Sequence, residues 1–207
     1  MNIDTQLFQT INDFARATPW LHWIVVAFAD YGIIVFAALM LAGWWSARQR
    51  ANPTRMAAAL WAPLGMLLAL GINQPISAIV GEPRPYTTLQ NIVVLAQRSP
   101  DPSFPSDHAV MAGAVAAGLF LVSWRLGWLA MLAAVVMAFS RVYIAAHYPQ
   151  DVVAGLLVGA AVTLLGFWLV RRVLVWLVEL AERTPLRPVL TTAPRPATPT
   201  PADSMAG

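Results

Sequence analysis

The chain of 207 residues is 58% hydrophobic and 11% charged, with nine tryptophans and a formal net charge of +3. A mean hydropathy of +0.62 and several apolar runs of about 17 residues or more fit a polytopic membrane protein rather than a water-soluble domain. All thirteen basic residues are arginines scattered between the apolar runs, so the pI near 10.0 describes no nucleic-acid-binding face, and the absence of cysteine excludes disulfides and thiolate metal sites.

In chain order, the opening MNIDTQLFQT lacks a positive n-region and an early apolar core, so no cleaved signal peptide is expected. Ile3, Leu7, Phe8, Ile11 and Phe14 recur at helical spacing over residues 3–16 and predict an amphipathic helix at the membrane interface, although the same stripe suits ordinary packing. Asp30 interrupts the next apolar stretch, which places a first span over 30–46 with the aspartate at its water-facing start; a plain helix-end role suits it equally. Further spans are expected near 56–80, 106–123, 127–143 and 150–170. The predicted fold is therefore an all-α polytopic membrane helix bundle of about five spans plus the N-terminal interfacial helix. Residues 1–183 are expected to form one membrane domain, followed by a disordered Pro/Thr/Ala-rich cytoplasmic tail over 184–207.

The arginines orient these spans. Arg48, Arg50 and Arg55 follow the first, Arg125 the third, and Arg171 with Arg172 the fifth, all on one side if the spans alternate. The positive-inside rule makes that side cytoplasmic. The opposite side then receives residues 81–105 and 144–149, which hold most of the chemistry.

In GEPRPY, Pro83 and Pro85 bracket Arg84 and carry its guanidinium on a stiff extended segment suited to phosphate. Taken alone, Arg84 reads equally as an interfacial arginine reaching head groups. Pro105 and Ser106 then open an apolar run, so the unpaired N–H groups of a helix start face any anion there, and His108 in the first turn is placed to give a proton to a leaving group. Ser106 and Asp107 acting only as helix caps is the plainer alternative. In SRVYIAAHYPQD, Arg141 ends one span and Pro149 suits a first helical position. Asp151 can reach back to accept a hydrogen bond from the His147 ring, leaving the other ring nitrogen as a nucleophile; a structural histidine–aspartate pair is the other reading. Two histidines, two arginines, a serine at a helix start and an aspartate on one membrane face together point to phosphoryl transfer.

Arg84-Pro85, Pro105-Ser106-Asp107-His108, and Ser140-Arg141 with His147 and Asp151 resemble the three motifs of the type 2 phosphatidic acid phosphatase superfamily, the last of them in full. The resemblance implies that His147 attacks phosphorus, Asp151 orients it, and His108 protonates the leaving oxygen. Arg84, Ser106 and Arg141, with the backbone of Asp107, would hold the phosphoryl oxygens, and no metal or other cofactor is implied. Two positions depart from the pattern: Ser77 stands at the first-motif lysine, and Asp107 at the second-motif glycine. Both, with Glu82-Pro83-Arg84-Pro85 and the phrase from Ser103 to His108, look like the bacterial undecaprenyl-diphosphate phosphatase branch linked to bacitracin resistance. The implied partners are the bilayer and a polyprenyl or glycerolipid phosphate, at the outer face of a bacterial cytoplasmic membrane. A transporter or lipid-binding membrane protein is the alternative class, but it has no need of Ser-Arg, His and Asp at this spacing.

Overall fold

The computed structural model describes residues 3–193, and within them all regular structure is helical. The elements are α1 (Ile3–Ala17), α2 (His22–Tyr31), α3 (Ile33–Arg50), α4 (Pro53–Val80), α5 (Pro85–Thr88), α6 (Asp107–Val122), α7 (Trp124–Tyr143), α8 (Pro149–Ala181) and α9 (Arg187–Leu190). Among the described residues three helices are long and apolar enough to cross a membrane, or four if α2 and α3, bent by 52°, count as one span. The first expected span falls on α3, which starts at Ile33, and it is preceded by the separate helix α2, in whose last turn Asp30 takes the helix-end role. The last expected span ends too early. Arg171 and Arg172 sit inside α8, whose further turns bury Val178 against the rest of the bundle.

The centre of the bundle is α6. Ala109 to Leu119 are all buried, in agreement with a helix that is apolar all round. Small residues let α8 lie directly on it. A Cβ at Gly155 would come within 2.8 Å of the Ser106 carbonyl oxygen, and one at Gly159 within 2.8 Å of the Ala114 nitrogen and closer still to the Val110 oxygen. This is the close backbone approach that Gly-xxx-Gly spacing permits between membrane helices. It brings the starts of α6 and α8 together, and the Ser106 N–H donates to the Asp151 carbonyl at 3.1 Å.

Helix ends fix the polar layer. Asn52 caps α4 by accepting the Arg55 N–H at 3.1 Å, and Pro53 takes the first helical position. At the other end Gly81, with φ +60°, turns the chain into the Glu82–Pro85 segment. The α7 terminus is wrapped by hydrogen bonds from Ala145 to Val142 (2.9 Å) and from Ala146 to Arg141 (3.0 Å), with Ala145 left-handed at φ +63°. This Schellman closure turns the chain sharply between Arg141 and His147.

Part of the expected disordered tail is packed. Leu190 of α9 is buried beside Ala47, Met56 and Phe167, and Arg48 Nε donates to the Pro188 carbonyl at 2.6 Å. Leu190, masked in the composition by its proline- and threonine-rich surroundings, provides the anchor. Residues 194–207, the remainder of that stretch, lie outside the described residues.

Candidate active site

The last turns of α4 and α7, the start of α6 and the connecting segments that carry Arg84, Asp101 and His147 surround a cavity of about 520 Å³, whose lining includes Arg84, Asp107, His108, Arg141 and His147. Five of the seven residues predicted for the site thus meet in one space. Ser106 and Asp151 lie behind it, both fully buried.

His147 is held from the rear. Its Nδ1 donates to the Ser103 carbonyl at 2.7 Å; a carbonyl only accepts, so Nδ1 carries the proton and Nε2 is left unprotonated with its lone pair. Nε2 faces Arg84, whose Nη1 donates to it at 3.4 Å. Asp151 is not the direct partner that the spacing suggested. Its Oδ2 lies 3.6 Å from Nδ1, beyond hydrogen-bond reach, and accepts instead from the Ser103 hydroxyl and from the Tyr148 N–H at 2.8 Å. The capping geometry expected of an acid at this position is present, and it draws the carboxylate to the helix start and away from the ring. Burial holds the His147 imidazole well below its ordinary pKa, and the Arg141 and Arg84 guanidinium groups push the same way, so the ring is neutral.

Two cations face the cavity. Arg84 sits in extended backbone at φ −70°, ψ 152°, and is aimed by bonds from Nε to the Asp101 carbonyl (2.9 Å) and from Nη1 to the Ala146 carbonyl (3.2 Å). Arg141 is buried, and its Nε has no hydrogen-bond partner among the described residues. Ser106 precedes α6 without capping it, and its buried hydroxyl is likewise unpartnered among the described residues. Two guanidinium groups around an uncapped helix start form a receptor for a multiply charged oxyanion. His108 lines this cavity and also an adjoining cleft of about 360 Å³ that includes Asp30, Gln97 and Arg141.

Asp107 is turned towards α4. Asn73 Nδ2 donates to its Oδ1 at 2.7 Å and Gln74 Nε2 at 3.2 Å, while Asn73 also donates to the Pro105 carbonyl at 3.2 Å. Sequence reasoning missed Ser103, Asn73 and Gln74. The Asn73-Gln74 pair did carry a signal, as two adjacent amides inside an apolar run. Ser103 had none, because its decisive group is a backbone carbonyl. Ser77, at the position of the absent lysine, lines the same cavity.

Residues 58–174 match the PAP2 superfamily. The chain is 31% identical over 168 residues to the bacitracin transport permease protein BcrC of Bacillus licheniformis, covering 81% of this chain and 80% of that one. It is 28% identical over 162 residues to the undecaprenyl-diphosphatase BcrC of Bacillus subtilis (strain 168), covering 78% and 81%. The crystal structure of Aquifex aeolicus LpxE shares the fold, with a TM-score of 0.66 at 22% identity over 81% of this chain and 96% of that one. The family match covers more than half of the chain and takes in all three motif segments in full. This all-helical membrane protein belongs to the PAP2 superfamily and is a phosphohydrolase of that family.

Proposed function

We propose that this protein hydrolyses undecaprenyl diphosphate to the monophosphate and inorganic phosphate at the outer face of a bacterial cytoplasmic membrane, through a phosphohistidine. The observation that carries the chemistry is the neutral His147 ring, with Nδ1–H fixed on the Ser103 carbonyl and Nε2 on the cavity beside Arg84. Nε2 attacks the terminal phosphorus, an N–P bond forms, and the P–O bond to the lipid phosphate breaks as His108 gives its proton to the leaving oxygen. Water then attacks the phosphohistidine and loses a proton to His108, and inorganic phosphate departs. Arg84 and Arg141 hold the equatorial oxygens, where charge accumulates. The lipid assignment draws on the undecaprenyl-diphosphatase relative and on the motif departures at Ser77 and Asp107.

Five spans follow if α2–α3 is one bent span and α6 another, its 16 residues rising about 24 Å. The cavity then opens outside, α1 lies on the outer interface, and Arg48, Arg50, Arg55 and Arg125 lie inside. Residues 1–183 form the single catalytic domain in this reading, with α9 of the following stretch packed back on its cytoplasmic end beside Arg48.

Purified protein supplied with undecaprenyl diphosphate and with phosphatidic acid tests the assignment. Faster phosphate release from the diphosphate, and an acid-labile, alkali-stable phosphoenzyme lost in His147→Ala, are expected. Preference for phosphatidic acid would replace the lipid assignment, and binding without release from either would mean a lipid carrier or transporter.

A further inference from the structure

We infer that α1, through Asn12, is a positioning element of the phosphatase site, fixing the loop 91–97 and through it the segment that carries Arg141 and His147. The inference rests on the roles proposed above for those two residues.

Asn12 is only 2% exposed in a helix whose Ile3 and Leu7 are 76% and 53% exposed. A buried amide is costly unless both of its ends are hydrogen-bonded. Here one backbone unit satisfies both: Nδ2 donates to the Val93 carbonyl at 2.7 Å, and Oδ1 accepts the Val93 N–H at 2.9 Å. The side chain thereby pairs with the loop as a neighbouring strand would. One turn later Arg16 Nη2 donates to the Asn91 carbonyl at 2.6 Å, at a residue held left-handed with φ +58°.

The loop passes this restraint on. The N–H groups of Leu95 and Ala96 both donate to the Ile144 carbonyl, at 3.1 and 2.9 Å. Ile144 is the C-cap of α7 and lies midway in sequence between Arg141 and His147. Gln97, the next loop residue, lines the cavity with both. On the far side of His147, Asp4 of α1 accepts the Gln150 N–H in the first turn of α8 at 2.8 Å. One helix thus restrains both flanks of the nucleophile. A helix serving only as a lipid anchor would depend on its exposed apolar stripe and have no use for a doubly bonded buried amide.

The test uses the full chain in lipid nanodiscs, comparing Asn12→Ala with Leu7→Ala on the exposed stripe. Deuterium exchange is followed in residues 91–97, and kcat and KM are measured on p-nitrophenyl phosphate, which needs no lipid partitioning. Asn12→Ala is expected to speed exchange in 91–97 by about tenfold or more and to lower kcat about tenfold, with KM within about twofold. Leu7→Ala should leave both at wild-type values. Unchanged exchange in Asn12→Ala, or faster exchange with wild-type kcat, would overturn the inference. Should Asn12→Ala not fold, Arg16→Ala loses the exposed bond to Asn91 and an exposed ion pair to Asp13 within α1, which Asp13→Ala removes alone as a control; Arg16→Ala should give the same pattern at about threefold, and its absence overturns the inference equally. Exchange is read without turnover, so a wild-type protein inactive on every phosphate would defeat the functional reading while the loop measurement still stood.

Discussion

Asp151→Asn separates the charge of Asp151 from its hydrogen bonds. In the structure Oδ2 accepts both protein donors, the Ser103 hydroxyl and the Tyr148 N–H, while Oδ1 is buried with no partner among the described residues. An asparagine can keep its oxygen at the Oδ2 position and place its NH₂ at Oδ1, which conserves the helix start. The His147 tautomer is conserved as well, because the Ser103 carbonyl holds Nδ1–H. Only the negative charge 3.6 Å from the ring is lost. As Nε2 bonds to phosphorus the imidazole becomes cationic, and a carboxylate at that distance stabilises it by up to about 4–5 kcal/mol at an effective dielectric near 20. Because that charge is only partly developed in the transition state, about 3–4 kcal/mol of this is lost, and the expected loss in the rate of phosphoenzyme formation is roughly 10²- to 10³-fold, measured in single turnovers with p-nitrophenyl phosphate. A direct Asp151 bond to the ring predicts more, since the amide would then invert the tautomer at a cost of about 10⁴-fold. A loss of that size would refute the primacy of the Ser103 carbonyl, and a loss below about threefold would remove Asp151 from the electrostatics altogether.

The histidines should separate by leaving group: His108→Asn is expected to slow lipid monophosphate hydrolysis most, by about 10²- to 10⁴-fold, a diphosphate less and p-nitrophenyl phosphate least. His147→Ala should abolish all three without grading. His147 stays neutral when folded, whereas an unfolded imidazole takes a proton near pH 6.5. The unfolded state then binds the extra proton, so stability present above that pH is lost as pH falls, at up to about 1.4 kcal/mol per unit, and melting curves of His147→Gln should show a slope shallower by that amount. With arginines as the charge clamp, EDTA should leave turnover intact and vanadate should inhibit; silencing by EDTA and rescue by Mg²⁺ would contradict the site assignment. Gly159→Ala should destabilise by about 1–3 kcal/mol because its Cβ meets the α6 backbone, whereas Gly71→Ala, with nothing within 4 Å, should stabilise by up to about 1 kcal/mol, both read as melting shifts in detergent.

What the sequence disclosed was the part written in side-chain types. Arg84, Arg141, His108 and His147 announce themselves because charged and titratable groups inside apolar surroundings require a use, and prolines at 83, 85, 105 and 149 mark where helices stop and start. All four of those residues line one cavity. Illegible were the links made by main chain. The Ser103 carbonyl that sets the His147 tautomer would be offered by any residue at that position, and no pattern records that the Ser106 N–H is taken by the Asp151 carbonyl. Helix α2 escaped notice for a related reason: Asp30 looks like a stop in hydropathy, yet a helix end opening on a polar cleft with Arg141 and His108 tolerates a carboxylate.

Asp107 shows how one substitution changes the logic of such a site. With glycine there, the first turn of α6 would offer an anion only N–H groups; an aspartate adds a formal negative charge beside the phosphate receptor. Its partners, Asn73 and Gln74, are neutral amides, so the charge is solvated but not cancelled. Arg84 and Arg141 must therefore outweigh it as well as the substrate, with no lysine at Ser77 to assist. The cavity is consequently polarised, cationic towards His147 and anionic towards α4. A bound phosphate is drawn towards His147 and away from Asp107. Asp107→Gly should then strengthen inorganic phosphate inhibition by about tenfold, the value of roughly 1.4 kcal/mol of relieved repulsion. Unchanged or weakened phosphate inhibition would show that the carboxylate, held by its two amides, has no electrostatic reach into the site.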